Sequence, residues 1–141
     1  MNFRTVLFPP PPPTAASAGL LLLRVFAGLT MASHGWGKIQ DPFHWMDKAP
    51  SPPPAFFQFL AAVAEFFGGI GVAVGLVSVI AAFGIVCTMV VAMQHHISAG
   101  DPFAMWELAA LYFCISVLVL LAGPGRFSLD ALVRSRFKEQ P

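Results

Sequence analysis

Charge is what this chain has least of. Of its 141 residues, 11% are Asp, Glu, Lys or Arg and 57% are hydrophobic, whereas an average soluble domain carries ~25% charge. From Pro54 to His96 there is one charged side chain, Glu65, and neither Lys nor Arg. That stretch is roughly twice the ~20 apolar residues that one helix needs to cross a bilayer. A chain this short has no surface large enough to hide it, so an ordinary soluble domain is excluded and lipid is the expected solvent. The formal net charge of +1 excludes a broad basic surface for nucleic acid. Cysteine is scarce as well. Cys87 and Cys114 fall inside apolar runs, at a spacing that fits no metal or dithiol motif, and are expected to be small buried core residues. The chain also lacks HxxxH and CxxC spacings, a phosphate loop, a nucleophile constellation and a haem-attachment motif. A catalytic unit acting alone is therefore not expected.

What is present is a series of apolar runs. They predict an all-α integral membrane four-helix bundle over residues 14–125, with spans at 14–36, 55–75, 77–96 and 103–122. A proline-rich arm over 1–13 precedes it, and a short amphipathic helix over 126–141 follows. Arg4 ahead of an apolar stretch suggests a secretory signal. The block Pro9 to Pro13 interrupts it, so the segment is expected to stay in the mature protein as a polyproline II spacer. Thr14 or Ser17 can cap the first span, and Gly75-Leu76-Val77-Ser78 is the natural turn between the second and third. Gly68, Gly69, Gly71 and Gly75 offer close helix approach in lipid. The link 37–54 is rich in Pro and aromatics (Trp36, Phe43, Trp45, Met46) and is expected to lie along the membrane interface. Ser128 is a plausible cap for the tail helix, whose apolar side is Leu129, Leu132, Val133 and Phe137.

The rare charges carry the functional reading. A cation inside a span costs about 3 kcal/mol on insertion scales and must face the bundle or water. At 100° per residue Arg24, Gly28, Met31, Gly35 and Lys38 share one face of the first span, with His34 at its edge. Glu65 lies about ten residues into the second span, so an Arg24–Glu65 pair is the expected partnership. Arg4, Arg126, Arg134, Arg136 and Lys138 on the side of the termini, against Lys38 and Lys48 on the other, predict cytoplasmic termini. His34, Lys38, Asp41, His44, His95, His96, Asp101 and Glu107 then gather at the opposite, extracytoplasmic mouth.

Arg24 followed by His34-Gly35-x-x-Lys38, Glu65-x-x-Gly68-Gly69 leading to Gly75, and Gly123-Pro124-Gly125-Arg126-x-Ser128-Leu129-Asp130 resembles the DoxX family of small bacterial membrane proteins. The resemblance implies a four-helix membrane bundle in a bacterial cytoplasmic membrane and an association with quinone-linked redox chemistry. Three roles compete. In the first, a redox-linked membrane subunit binds a quinone or relays protons through Arg24, His34, Lys38, Glu65 and Glu107, which converge between spans one, two and four. Gly28, Gly35, Gly68 and Gly69 then make room for a flat ring, and Met31 forms a wall. In the second, the chain is an accessory subunit of a larger membrane complex or a homo-oligomer. In the third, His34, His44, His95 and His96 build a metal site. Imidazole suits zinc, copper and iron, but adjacent histidines on a helix point about 100° apart.

Overall fold

The computed structural model describes residues 11–49 and 51–138. Most of the expected N-terminal arm, Arg4 included, lies outside the described residues, as do the side chains of Phe137 and Lys138. The described chain is all helical. Its helices are α1 (Thr14–Gln40), α2 (Ala55–Val74), α3 (Ser78–Ser98), α4 (Glu107–Ala122) and α5 (Leu129–Lys138), with a 3-10 turn at Phe103–Met105. Helices α1, α2 and α3 are each long and apolar enough to cross a membrane. Helix α4, at 16 residues, spans only about 24 Å at 1.5 Å per residue, and the 3-10 turn extends it at one end. The architecture is the expected membrane helical bundle with a short C-terminal helix.

The helices pack in sequence order: α1 on α2, α2 on α3, α3 on α4, with α1 and α4 meeting at only a few positions. Without water to drive association in lipid, close packing does so, and small residues permit it. Along the α1–α2 seam a side chain at Gly28 would sit 2.5 Å from the Gly69 carbonyl and 2.6 Å from the Ala73 amide. One at Gly35 would strike the backbone of Glu65 and Phe66. The glycines therefore bring backbone against backbone. The slot proposed there for a flat ring is filled by the neighbouring helix, and that expectation is corrected.

The core is narrow: Ala27, Met31, Val72, Ala82, Ile85, Met89, Tyr112 and Val119. Large apolar side chains such as Leu22, Phe26, Phe67, Val91 and Leu121 point outward, as a bundle solvated by lipid allows. Cys87 and Cys114 are on this outer surface too, which corrects their expected burial. In a membrane protein, membership of an apolar run does not tell the inner face from the outer one, because both contact apolar material.

The α2–α3 turn is built as a Schellman motif. Leu76 N–H donates to the Gly71 carbonyl at 2.9 Å and Gly75 N–H to that of Val72 at 3.2 Å. Gly75 takes the left-handed conformation at φ 72°, and Val77 follows it at φ 50°. A β-branched residue is strained there. Neither Thr14 nor Ser17 caps α1, whose cap position is Pro13 with no side-chain bond. Ser17 is instead buried inside the helix, donating to the Pro12 carbonyl at 3.0 Å and accepting from the Arg126 amide at 3.1 Å. The start of α1 and the tail are thereby stitched together. Ser128 does cap α5, accepting from Ala131 N–H at 3.2 Å.

Candidate functional site: two buried polar centres at opposite ends

The first centre lies at the end where α1 begins and the tail returns. Arg24 is fully buried, at 0% exposure. Its Nη1 donates to the Val72 carbonyl at 3.2 Å and its Nη2 to the Phe127 carbonyl at 2.6 Å. Its electrostatic counter-charge is Asp130. Asp130 is itself buried and spends both carboxylate oxygens on the cap position and first residue of α3. Oδ1 accepts from Val77 N–H at 2.8 Å and Oδ2 from Ser78 N–H at 2.9 Å. These two amides are among the donors that a helix start leaves without intrahelical partners, and a carboxylate satisfies them well. The Asp130 amide returns a bond to the Gly75 carbonyl at 2.8 Å. A side chain at Gly75 would collide with the Arg24 guanidinium and with Ser128. This centre fastens α1, the α2–α3 turn and the tail into one joint.

The second centre lies at the far mouth. Lys38, in the last turn of α1, places Nζ 2.6 Å from Oε1 of Glu65. Glu65 is 3% exposed, and its second oxygen, Oε2, is buried without a hydrogen-bond partner among the described residues. The Lys38 side chain is 27% exposed, and its ammonium also lies 4.4 Å from the centroid of the Trp45 ring, within cation–π range. Trp45 Nε1 donates to the Gln58 carbonyl at 2.9 Å. Phe43 stacks on Phe59 at 5.0 Å, their planes 6° apart. Segment 41–49 is thus folded over the Lys38–Glu65 pair.

The expected Arg24–Glu65 pair does not form. Glu65 belongs to Lys38, and Arg24 to the carbonyls of Val72 and Phe127 beside Asp130. The reason is register. Gly28 lies level with Gly69 and Ala73, and Gly35 with Glu65 and Phe66. Counting ten residues into each of two antiparallel helices measures from opposite ends. From Glu65 to Val72, where Arg24 bonds, is about 10 Å of helix. Convergence of all five candidates is corrected likewise. Lys38 and Glu65 meet, and Arg24 is at the other end. His34 is exposed and contacts Tyr112 of α4, ring centroids 5.9 Å apart. Glu107 is exposed in the first turn of α4.

The histidines separate into local pairs: His44 with Asp41 at 3.1 Å and His96 with Asp101 at 2.7 Å, while His95 makes an edge contact with His96. Among the described residues no three His, Cys, Asp or Glu side chains gather in a group able to hold a metal ion. Two residues escaped the sequence reading, Gln58 and Asp130. Gln58 was signalled only by a lone amide in the apolar run PPPAFFQFLAA, and Asp130 only by its place at the end of the tail motif.

A bundle of long apolar helices, with Arg24 and Glu65 buried inside it, defines a multi-pass membrane protein. The DoxX family model matches residues 19–99, more than half of the chain, and the protein belongs to that family. The match runs from within the first turns of α1 to just past the end of α3 and takes in both Lys38 and Glu65. The tail motif that ends at Asp130 lies beyond it. No curated protein and no solved structure gives a significant match.

Proposed function

We propose that the protein is the membrane subunit of a quinone-linked redox assembly and that its chemical contribution is to hold and pass a proton at the Lys38–Glu65 pair. The observation that carries this reading is the half-satisfied carboxylate: Oε1 on Lys38, Oε2 buried and unpartnered. A buried polar atom without a partner costs about 1–3 kcal/mol, so its retention calls for a reason. An acceptor of this kind suits a hydroxyl or water donor, and reduction of a quinone by the assembly's electron donor takes up protons that a positioned carboxyl group can relay. His34 and Glu107, exposed on the neighbouring helices at the same end of the bundle, are the next groups able to carry a proton to water. The setting proposed is a bacterial cytoplasmic membrane, as the family suggests, with both termini cytoplasmic, an orientation that rests on the distribution of Lys and Arg.

The test is purification in mild detergent with extraction of bound quinone, followed by redox-induced infrared difference spectra. We expect near-stoichiometric quinone and a carboxyl band that disappears in Glu65→Gln. A quinone-containing preparation whose spectrum is identical in that variant would refute the proton role. The second reading, a non-catalytic accessory subunit in a membrane complex or homo-oligomer, is favoured by the closed glycine seam, which leaves no ring-sized slot between α1 and α2. Absence of quinone together with a defined larger complex would select it.

A further inference from the structure

Gln58 lies in the first turn of α2 and is 1% exposed. A carboxamide offers one acceptor oxygen and two N–H donors, and here all three are used. Oε1 accepts from the Met46 amide at 2.8 Å. Nε2 donates to Asp47 Oδ1 at 2.8 Å and to the Pro53 carbonyl at 3.0 Å. The backbone carbonyl of the same residue accepts from Trp45 Nε1 at 2.9 Å. One buried residue thus grips three consecutive residues, Trp45, Met46 and Asp47, and aims the Trp45 ring at the Lys38 ammonium. The stack of Phe43 on Phe59 holds the segment to α2 without touching Lys38, so seating the segment alone does not require the Gln58–Trp45 arrangement.

We infer that Gln58 is a positioning residue: it latches segment 41–49 down as a cap, with Trp45 over Lys38, and so governs access from the aqueous side to the Lys38–Glu65 pair. Its consequence for proton traffic rests on the reading above, but the cap itself does not. When the latch is closed, the aromatic face covers the ammonium and turns it toward Glu65. When it opens, Lys38 meets water and the pair can exchange.

The experiment is labelling of the full-length protein in mild detergent with a water-soluble amine-reactive ester, read by mass spectrometry as the ratio of Lys38 to Lys48. Lys48 is exposed in the same segment and controls for reagent, while the melting temperature, measured alongside, controls for folding. Gln58→Ala removes three side-chain hydrogen bonds, and at roughly twofold or more per bond the ratio should rise at least ~5-fold. Gln58→Glu should raise it as well, by losing both donors beside Asp47. Combining Gln58→Glu with Asp47→Asn exchanges donor and acceptor and should bring the ratio part of the way back. Labelling well below the melting temperature of each variant separates opening of the cap from unfolding, because an increase that comes from unfolding alone would vanish there. Should Gln58→Ala not fold, Trp45→Leu leaves the carboxamide bonds in place, uncovers Lys38 and should raise the ratio similarly. An unchanged ratio in folded Gln58→Ala, or in Trp45→Leu, overturns the inference. Labelling reads access and the infrared band reads protonation, so the cap and the proton role fail separately.

Discussion

Replacing one member of the Lys38–Glu65 pair should cost more than replacing both, and the two single replacements should not cost the same. Glu65 is 3% exposed, whereas the Lys38 side chain is 27% exposed. Lys38→Met keeps length and volume but strands a carboxylate out of water. Breaking a buried pair from one side costs about 3–5 kcal/mol, and partial exposure of Lys38 places the loss near the lower limit, about 3 kcal/mol. Glu65→Gln leaves an ammonium that can turn toward water, at about 1–2 kcal/mol, discounted for its exposure. The double variant retains no unpaired charge and should cost no more than Glu65→Gln alone. The coupling between the sites is then about 3 kcal/mol, well above the ~0.5 kcal/mol within which independent sites add. Arg24→Gln combined with Glu65→Gln should be additive, because the two groups lie in different centres. The assay is thermal unfolding of purified protein at fixed detergent concentration, with folded yield from size-exclusion chromatography as a check. Additive losses at Lys38 and Glu65, or coupling above ~1 kcal/mol between Arg24 and Glu65, would refute the assignment of partners.

Other perturbations address the seam, the joint and the orientation. Gly35→Ala should lower the melting temperature sharply, because its methyl group meets the Glu65 and Phe66 backbone, while Gly37→Ala, which meets nothing, should leave it within about 0.5 kcal/mol of the parent. Equal effects of the two substitutions would argue against the close α1–α2 approach. Asp130→Ala removes both amide bonds at the start of α3 and should destabilise by about 2 kcal/mol or more. Val77→Gly, which relieves a left-handed β-branched residue, should recover about 1 kcal/mol in the same background; no recovery would show that the turn relaxes once Asp130 is gone. For orientation, an impermeant thiol reagent should label Ser51→Cys and spare Ser135→Cys in intact cells, each in a background free of Cys87 and Cys114, and the reverse pattern would invert the proposed topology.

The fold was legible because the apolar runs and their breaks are long-range composition signals that survive any choice of register. Gly75 to Ser78 reads as a turn for the same reason that it is one: Gly75 can take a positive φ. Ser128 reads as a cap because a hydroxyl just ahead of an amphipathic run satisfies the first free amides. The charge partners were not legible, because they depend on vertical register between antiparallel helices. Gly35-Trp36-Gly37 looks like a helix end, yet α1 continues to Gln40 and carries Lys38 out to the level of Glu65. Periodicity placed Lys38 on the correct face but gave no depth. The glycines pointed to close packing and were equally readable as space for a ligand. Only the facing backbone, 2.6 Å from a side chain built at Gly69, separates those meanings. Cys87 and Cys114 were misplaced because hydropathy has no inside and outside in lipid. Gln58 was overlooked because one amide in an apolar run has no partner until the connecting segment folds back over it.

The two buried centres make different demands on explanation. Arg24 is accounted for by backbone chemistry: it serves the carbonyl of Val72 in the last turn of α2 and that of Phe127 just ahead of α5. Asp130 meets amides at the opposite kind of helix end. Helix termini in a bilayer have no water within the hydrocarbon to satisfy them, so a cation on carbonyls and an anion on amides are what a tightly folded end requires. Remove every question of function and both residues still have work to do. Glu65 serves no helix end. Among the described residues its one side-chain bond is to Lys38, and its other oxygen is buried and unpaired in the middle of an apolar helix. Well-packed apolar residues in place of a buried ion pair are often neutral or stabilising by about 1–4 kcal/mol, and the surrounding seam is already held by backbone contact at Gly28, Gly35 and Gly69. Stability therefore gives reason enough to keep Arg24 and too little to keep Glu65. That difference, more than the charge of either residue, is why chemistry is sought at the Lys38–Glu65 pair beneath Trp45.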